Sequence, residues 1–144
     1  MSYLVKDYMT KEVLTIDENQ SAADAATTMA TDQMAQGYVI VLSKGSPIGI
    51  VTQRDLVNKI LATGTTRRVL VTEIMSAPII SIDPDEDLLK ASEIMREHNV
   101  RKVPVIRDGI VYGVVTARDI AHKCGIYVDK SIRDIVRWTA PLGI

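Results

Sequence analysis

The hydrophobic positions of this chain follow two periods, one typical of strands and one typical of helices. Four short runs of apolar and β-branched residues predict buried or half-buried strands. These runs are 13–16, 38–42, 79–82 and 103–106. Residues that are mostly apolar then recur at helical spacing after the first and third runs. They are Ala22, Ala25, Ala26 and Met29 in one half of the chain, and Leu88, Ala91, Ser92, Met95 and His98 in the other.

Turn residues place a hairpin after each of the longer strands. A Ser-Lys-Gly-Ser stretch ending at Ser46 and an Asp-Gly pair ending at Gly109 are typical hairpin signals. Return strands are predicted at 48–52 and 110–116, followed by helices that begin near Asp55 and Asp119. The order β-α-β-β-α therefore occurs twice, which predicts an α/β (α+β) fold. One copy has too little core to stand alone, so the two copies should pack on each other.

The two copies are also related in sequence. Identical aligned pairs include Met9 with Met75, Ile16 with Ile82, and Met29 with Met95. Such internal similarity indicates a duplicated unit. We therefore treat 1–144 as one module. It consists of a first repeat (5–62), a linker (63–70), a second repeat (71–124) and a tail (125–144) that is predicted to form a packed amphipathic helix.

Composition excludes several classes of protein. Aromatic residues make up 4% of the chain and phenylalanine is absent, so the core must be aliphatic. Seventeen basic and 18 acidic residues give a net charge of −1, without the basic stripe of nucleic-acid binding. The single cysteine, Cys124, excludes a disulfide framework within the chain. The apolar runs are too short for a membrane span, and the N-terminus lacks a signal peptide, so we expect a soluble cytoplasmic protein.

The pattern that suggests chemistry is Gly-Φ-Val-Thr-x-Arg-Asp-Φ, where Φ is aliphatic, at 49–56 and 113–120. Each threonine stands where a strand ends and a helix begins, and its hydroxyl and the first helical N–H groups could receive an anion. Each aspartate can accept two hydrogen bonds from the vicinal hydroxyls of a ribose. Arg54 and Arg118 carry forked donors suited to phosphate. The glycines leave room for the close approach of a ligand or of a second strand.

A capping interpretation of the same residues needs no ligand. Thr52 and Thr116 are each followed three residues later by an aspartate, which resembles a capping box at a helix start. Duplication explains in part why the pattern occurs twice. A capping box does not require the neighbouring arginine, yet both copies have one. Both interpretations therefore stay open at the level of the residues.

Taken together, the motifs resemble a known family. Each copy opens with Val-x-x-x-Met-Thr/Ser and closes with the motif described above, and the second copy carries Val-Pro-Val-Ile between them. The chain resembles a tandem pair of cystathionine β-synthase (CBS) domains, also called a Bateman module, over residues 5–124. The resemblance implies two repeats packed about a pseudo-two-fold axis with two clefts between them. It also implies that the clefts bind adenosine-containing ligands such as AMP, ADP, ATP or S-adenosylmethionine.

The resemblance assigns ligand contacts to matching positions of both repeats. Thr52, Asp55, Thr116 and Asp119 correspond to family residues that contact phosphate and ribose. The backbone around the first short strand and residues of the middle strand complete the set. The predicted contacts are Thr10, Leu14, Tyr38, Thr52, Arg54, Asp55, Ser76, Pro78, Ile80, Arg101, Val103, Pro104, Thr116, Arg118 and Asp119.

The two repeats depart unequally from the family pattern. The second repeat keeps Pro78 and the basic pair Arg101 and Lys102. The first repeat has Glu12 in place of the proline and no base at 35–36. The sequence therefore predicts that the second-repeat site binds a phosphorylated ligand more tightly.

The sequence contains no set of residues typical of catalysis. It has no Ser/His/Asp set, no phosphate loop of Walker or Rossmann spacing and no metal cluster. We therefore predict a non-catalytic adenine-nucleotide sensor that needs no cofactor or metal. It should form a homodimer and signal to a separate effector protein, without nucleic-acid or membrane partners. The alternative is a structural or dimerisation module whose clefts stay empty.

Overall fold

The computed structural model describes residues 3–123 of the 144-residue chain. These residues belong to two compact units. The first unit is Val13–Ile80, and the second unit combines residues 3–12 with 81–123. The predicted tail helix of 125–144 and the position of Cys124 lie outside the described residues.

The helices and strands confirm the predicted mixed α+β class. In chain order they are α1 (Val5–Tyr8), β1 (Thr15–Asp17), α2 (Ala22–Ala30), β2 (Tyr38–Ser43), β3 (Ser46–Thr52), α3 (Gln53–Leu56), a π-helical turn (Val57–Leu61), α4 (Val71–Ile74), α5 (Leu88–His98), β4 (Lys102–Arg107), β5 (Ile110–Thr116) and α6 (Ala117–Lys123). No helix within this described stretch combines the length and the apolar content that a membrane crossing requires.

The first unit is built on a three-stranded sheet. Strand β2 lies between β1, which is parallel to it, and β3, which is antiparallel. Helix α2 begins with a capping box, in which the Ser21 hydroxyl accepts the Asp24 N–H at 3.1 Å and the Asp24 carboxylate accepts the Ser21 N–H at 3.0 Å. The core is aliphatic, as predicted. Its buried members are Ile16, Ala22, Ala25, Met29, Val39, Val41, Val51, Val69, Val71 and Ile74.

The second unit is built on the hairpin of β4 and β5. The strand predicted at 79–82 is reduced to one parallel pairing, between Ile82 and Val105. In the first unit the Glu18 N–H extends the equivalent pairing by donating to Leu42 at 2.9 Å. Pro84 stands at the aligned position in the second unit and has no N–H to donate, so the pairing ends early. Helix α5 covers the hairpin with the predicted apolar face, although His98 is exposed.

The opening segment of each repeat joins the unit formed by the other repeat. In the second unit, Thr10 and Val114 exchange backbone hydrogen bonds of 2.9 and 3.0 Å. In the first unit, Ser76 and Ile50 do the same at 2.9 and 3.2 Å. The compact units are therefore divided at other positions than the sequence repeats.

Two glycines make this exchange possible. A Cβ atom at Gly113 would lie 2.7 Å from the Thr10 carbonyl oxygen, and one at Gly49 would lie 2.9 Å from the Ser76 carbonyl oxygen. Real Cβ atoms do not approach backbone oxygens so closely. Of the two roles expected for these glycines, the close approach of a second chain segment is the one that the structure uses.

Candidate functional site

In the second unit, the closing motif lies where β5 ends and α6 begins. The Thr116 hydroxyl accepts the Asp119 N–H at 2.8 Å, and the Asp119 carboxylate accepts the Thr116 N–H at 3.2 Å. The Thr10 hydroxyl lies 3.0 Å from each of the two carboxylate oxygens and donates to them. The structure therefore brings together three predicted site residues, one of which comes from the opening segment of the other repeat.

In the first unit, the same motif lies between β3 and α3. The Thr52 N–H donates to Asp55 Oδ2 at 2.9 Å, and the Thr52 hydroxyl lies 3.2 Å from the same oxygen. The other oxygen, Oδ1, forms an ion pair of 3.2 Å with Lys59 Nζ. Lys59 also donates to the Ile74 carbonyl oxygen at 2.8 Å, at the end of α4.

The geometry confirms the capping interpretation in both repeats. Asp55 and Asp119 each accept the N–H of the threonine three residues earlier, and each threonine hydroxyl accepts the N–H of its aspartate. Capping does not use all the acceptor positions of a carboxylate, since its two oxygens together offer about four. The same aspartate can therefore cap its helix and accept a hydrogen bond from a ligand hydroxyl.

Basic residues surround the threonine of the second unit. Lys102 is paired with Thr116 in the β4–β5 register, and the Arg101 carbonyl oxygen accepts the Ala117 N–H at 3.0 Å. Burial lowers the pKa of Lys102, and the neighbouring charge of Arg101 lowers it further. Arg54 and Arg118 are exposed at the second position of α3 and α6. That Arg101 points toward a bound phosphate stays a prediction.

Several predicted contacts are buried or use their backbone within the sheets. Val103 and Tyr38 are 0% and 1% exposed, and Val103 belongs to the core of the second unit. Pro104 is buried as well, and its carbonyl oxygen accepts the Ile82 N–H at 3.0 Å. The Leu14 carbonyl oxygen accepts the Ile40 N–H at 2.9 Å. The side chains of Leu14, Val103 and Pro104 are apolar, so they can shape a site but supply no polar group to it.

The remaining predicted contacts lie between residues 76 and 80, after α4 and at the end of the first unit. Ser76 and Pro78 are exposed, Ile80 is half-buried, and the Ala77–Pro78 peptide bond is cis. These residues follow α4 in the first unit, where Ser76 pairs with β3 by its backbone. The structure thus places them on the same unit as Asp55, whereas Thr10 is placed beside Asp119.

Lys59 is not among the site residues predicted from the sequence. Its spacing of four residues from Asp55 was a usable signal, because side chains at i and i+4 are neighbours on a helix. The sequence repeats this spacing at Asp119 and Lys123. The contact of Lys59 with the Ile74 carbonyl had no local signal, since the two residues are far apart in sequence.

A separate surface cavity of about 540 Å³ lies in the second unit. Its lining residues are Lys6, Asp7, Met9, Lys11, Pro84, Asp85, Arg107 and Tyr112. None of the predicted ligand contacts belongs to this set. Three of its charged groups pair with one another, since Lys6 bonds Asp85 at 2.9 Å and Arg107 bonds Asp85 as well.

Comparisons with known proteins match the chain over most of its length. The chain is 32% identical over 117 residues to the CBS domain-containing protein YhcV of Bacillus subtilis, and the match covers 81% of this chain and 82% of that protein. Two longer relatives are covered over 61% and 30% of their own lengths.

Solved structures share the fold. The CBS domain pair of protein MJ0100, in complex with 5′-methylthioadenosine and S-adenosyl-L-methionine, is 29% identical with a TM-score of 0.77, and the match covers 87% of this chain and 98% of that one. A hexameric CBS-CP12 protein from bloom-forming cyanobacteria is 25% identical with a TM-score of 0.78, over 99% of this chain and 86% of that one.

The family model agrees with the repeats seen in the sequence. The model described as "CBS domain" matches residues 5–62 and 71–125, which together make up most of the chain. The order of motifs, the duplicated fold and the matched segments lead to the same assignment. The chain belongs to the CBS domain family and carries two CBS domains in tandem.

Proposed function

We propose that this protein is a non-catalytic regulatory module that binds an adenosine-containing ligand and signals to a separate effector protein. The ligand classes are AMP, ADP, ATP and S-adenosylmethionine, bound in clefts between the two repeats. Asp55 and Asp119 receive ribose hydroxyls, and the threonines and arginines of the two motifs receive the anionic part of the ligand.

One observation carries the proposal. In each unit, a threonine ends a return strand and caps an aspartate in the first turn of the helix that follows. That return strand is paired with the opening segment of the other repeat. A related CBS domain pair, that of MJ0100, was solved with two adenosine-containing ligands. Its 29% identity over 87% of this chain supports the same ligand class here.

A screen by thermal unfolding tests the ligand class. The panel is AMP, ADP, ATP, S-adenosylmethionine, 5′-methylthioadenosine and NAD, with GMP as the control for the base. A ligand at 100 times its dissociation constant should stabilise the folded chain by about 2.7 kcal/mol. The same ligand should lose most of this effect on a chain carrying both Asp55→Ala and Asp119→Ala. Stabilisation that survives both substitutions would contradict the proposed site.

The second candidate is a structural module that only assembles with itself. It is favoured by large apolar side chains on the surface, since Val57 and Leu61 on the π-helical turn are 50% and 73% exposed. The cyanobacterial CBS-CP12 relative is hexameric, and we propose a homodimer for this chain. Light scattering at micromolar concentration should return twice the 15.9 kDa mass of one chain. A dimer that none of the ligands stabilises would favour this second candidate.

A further inference from the structure

Lys59 links the candidate ribose-binding carboxylate of the first unit to an opening segment. Its ammonium group lies 3.2 Å from Asp55 Oδ1 and 2.8 Å from the carbonyl oxygen of Ile74. Ile74 is the last residue of α4, two positions before Ser76 pairs with β3. One side chain therefore connects the Asp55 carboxylate to a backbone segment that belongs to the predicted ligand contacts.

The acceptor positions of Asp55 are nearly filled by these contacts. Thr52 provides two of them through its N–H and its hydroxyl, and Lys59 provides the third. A carboxylate offers about four such positions, so about one is left for a ligand. The two vicinal hydroxyls of a ribose need two acceptor positions. One existing contact must therefore give way when a ribose is bound in bidentate fashion.

Lys59 is the partner best able to leave. The Thr52 N–H contact belongs to the capping box of α3, and its loss would leave that N–H unsatisfied. The Thr52 hydroxyl is held beside Oδ2 because it also accepts the Asp55 N–H. The Lys59 side chain is 44% exposed, so water can solvate its ammonium group once it separates from Asp55. Lys59 also lies in the π-helical turn, a local irregularity that is frequent at functional sites.

We propose that Lys59 is a specificity-determining residue that competes with ribose hydroxyls for Asp55 in the first-unit site. This inference rests on the proposed function, because it requires that an adenosine-containing ligand uses Asp55. Lys59 lowers the affinity of this site for an uncharged vicinal diol. Binding of such a ligand separates the ammonium group from Asp55 and increases its exposure to solvent.

The competition predicts an unusual salt dependence. Adenosine carries no charge at neutral pH, so its binding should otherwise respond little to ionic strength. Salt weakens the exposed Lys59–Asp55 pair by screening, and it should therefore favour the entry of adenosine. Adenosine affinity should rise between low and high salt in the wild-type chain.

Calorimetry with adenosine tests this, in a chain carrying Asp119→Ala so that only the first-unit site is measured. Lys59→Met should bind adenosine about two- to fivefold more tightly at low salt, because an exposed ion pair of ordinary strength no longer has to be broken. Its affinity should not change with salt. Lys59→Arg should keep the wild-type salt dependence, and Lys44→Met should match the wild type, since Lys44 is a lysine of a hairpin turn outside the site.

Chemical labelling gives an independent readout that a purely structural role would not produce. Acylation of Lys59 by an amine-reactive reagent, followed by mass spectrometry, should become faster when adenosine is bound, while that of Lys44 stays constant. Adenosine that binds without a change in Lys59 reactivity, and with equal affinity in Lys59→Met, would overturn the inference alone. Failure of every adenosine compound to bind any form of the chain would instead overturn the proposed function.

Discussion

The two units carry the same motif, and in each a different part of the chain supplies a described contact to its aspartate. In the second unit, the neutral hydroxyl of Thr10 donates to Asp119 from the opening segment. In the first unit, the charged ammonium of Lys59 bonds Asp55 and the carbonyl of Ile74. Thr10 and Ser76 occupy aligned positions in the two repeats, so the two sites can be compared residue by residue. The carboxylate keeps its position in both units, and a described contact reaches it from the opening segment in one unit and from the π-helical turn in the other.

The units also differ in how their opening segments are fixed. Helix α1 of the second unit is tied by Lys6 to Asp85, which Arg107 bonds together with Asp83. Helix α4 of the first unit carries the pair of Arg67 with Glu73 at 3.0 Å. Backbone hydrogen bonds connect both helices to the rest of their units. The second unit therefore adds an ionic network to a backbone connection that both units share.

The largest expected effect comes from filling the space at Gly113. Gly113→Ala places a Cβ atom 2.7 Å from the Thr10 carbonyl oxygen, a backbone atom that cannot rotate away. We expect a loss of about 1–3 kcal/mol in the free energy of unfolding, measured in urea. At Gly49 the nearest atom is the flexible sulfur of Met75, and the carbonyl oxygen is 2.9 Å away, so Gly49→Ala should cost less.

Gly45→Asn is the control for the variants Gly113→Ala and Gly49→Ala. Gly45 has a positive φ of 84°, and no atom of the described residues would lie within 4 Å of a Cβ added there. Asparagine tolerates positive φ better than most residues. The free energy of unfolding of this variant should stay close to that of the wild type. Equal stability of Gly113→Ala and this control would show that the opening segment does not lie against β5.

The next largest effect is on ligand affinity. Asp119→Ala removes a carboxylate that we propose accepts ribose hydroxyls, and hydrogen bonds to charged groups contribute about 1.5–3 kcal/mol each. Affinity of the second-unit site should fall at least about tenfold by calorimetry. The loss of capping should lower stability by only about 1 kcal/mol.

A matched control separates capping from binding. Asp87 begins α5 and accepts the Lys90 N–H at 3.0 Å, but it belongs to no predicted site. Asp87→Ala should lose a similar amount of stability and no affinity. If both variants bind the ligand as the wild type does, Asp119 is a capping residue only.

The doubled fold could be predicted because its signals are local. The apolar spacing of α2 and α5, the two hairpin turns and the two capping boxes each involve residues within a few positions of one another. The early end of the second-unit strand was not predicted, although Pro84, which lacks an N–H, was a local signal for it. These features depend on contacts between residues that are close in sequence, and a single sequence shows such residues directly.

The exchange of opening segments could not be predicted in the same way. The pairing of Thr10 with Val114 joins residues from opposite ends of the chain, and similarity between repeats says nothing about which return strand a segment selects. Gly49 and Gly113 marked a close approach without identifying what approaches. Lys59 was visible as the i+4 neighbour of Asp55, but its contact with Ile74 depends on the same long-range arrangement.

A smaller effect concerns the charge of the ligand, to which we expect the two sites to respond differently. Arg101 follows α5 beside Thr116, whereas Ala35 is aligned with it in the first repeat. Arg101→Ala should weaken AMP binding at the second-unit site by about 1–2 kcal/mol, toward the low end of the contribution of a hydrogen bond to a charged group, because Arg101 is only half-buried. Binding of uncharged adenosine should hardly change.

The control is Lys90→Ala, which removes one exposed positive charge from α5 of the same unit. It should leave both AMP and adenosine binding unchanged. A crystal grown at sub-saturating AMP should show the nucleotide beside Asp119 first. Occupancy beside Asp55 alone would reverse the ranking of the two sites.

The smallest expected effect is on acid stability, and it tests the ionic network of the second unit. Hydrogen bonds from Arg107 lower the pKa of Asp83 and of Asp85, and Lys6 lowers that of Asp85 further. A folded-state pKa below the unfolded value of about 3.9 stabilises the fold above that pH, and this contribution is lost as the pH falls through the folded pKa. Arg107→Gln should therefore flatten the decline of melting temperature below about pH 4.

The first unit supplies the comparison. Arg67 lowers the pKa of Glu73 most, but the Leu70 N–H also lowers it and remains in Arg67→Gln. This variant should flatten the acid decline less than Arg107→Gln, which removes a partner from two carboxylates at once. High salt should reduce both differences, because all of these groups are exposed to solvent and screened. Identical acid slopes for Arg107→Gln and the wild type at low salt would mean that the network contributes nothing to holding α1 in place.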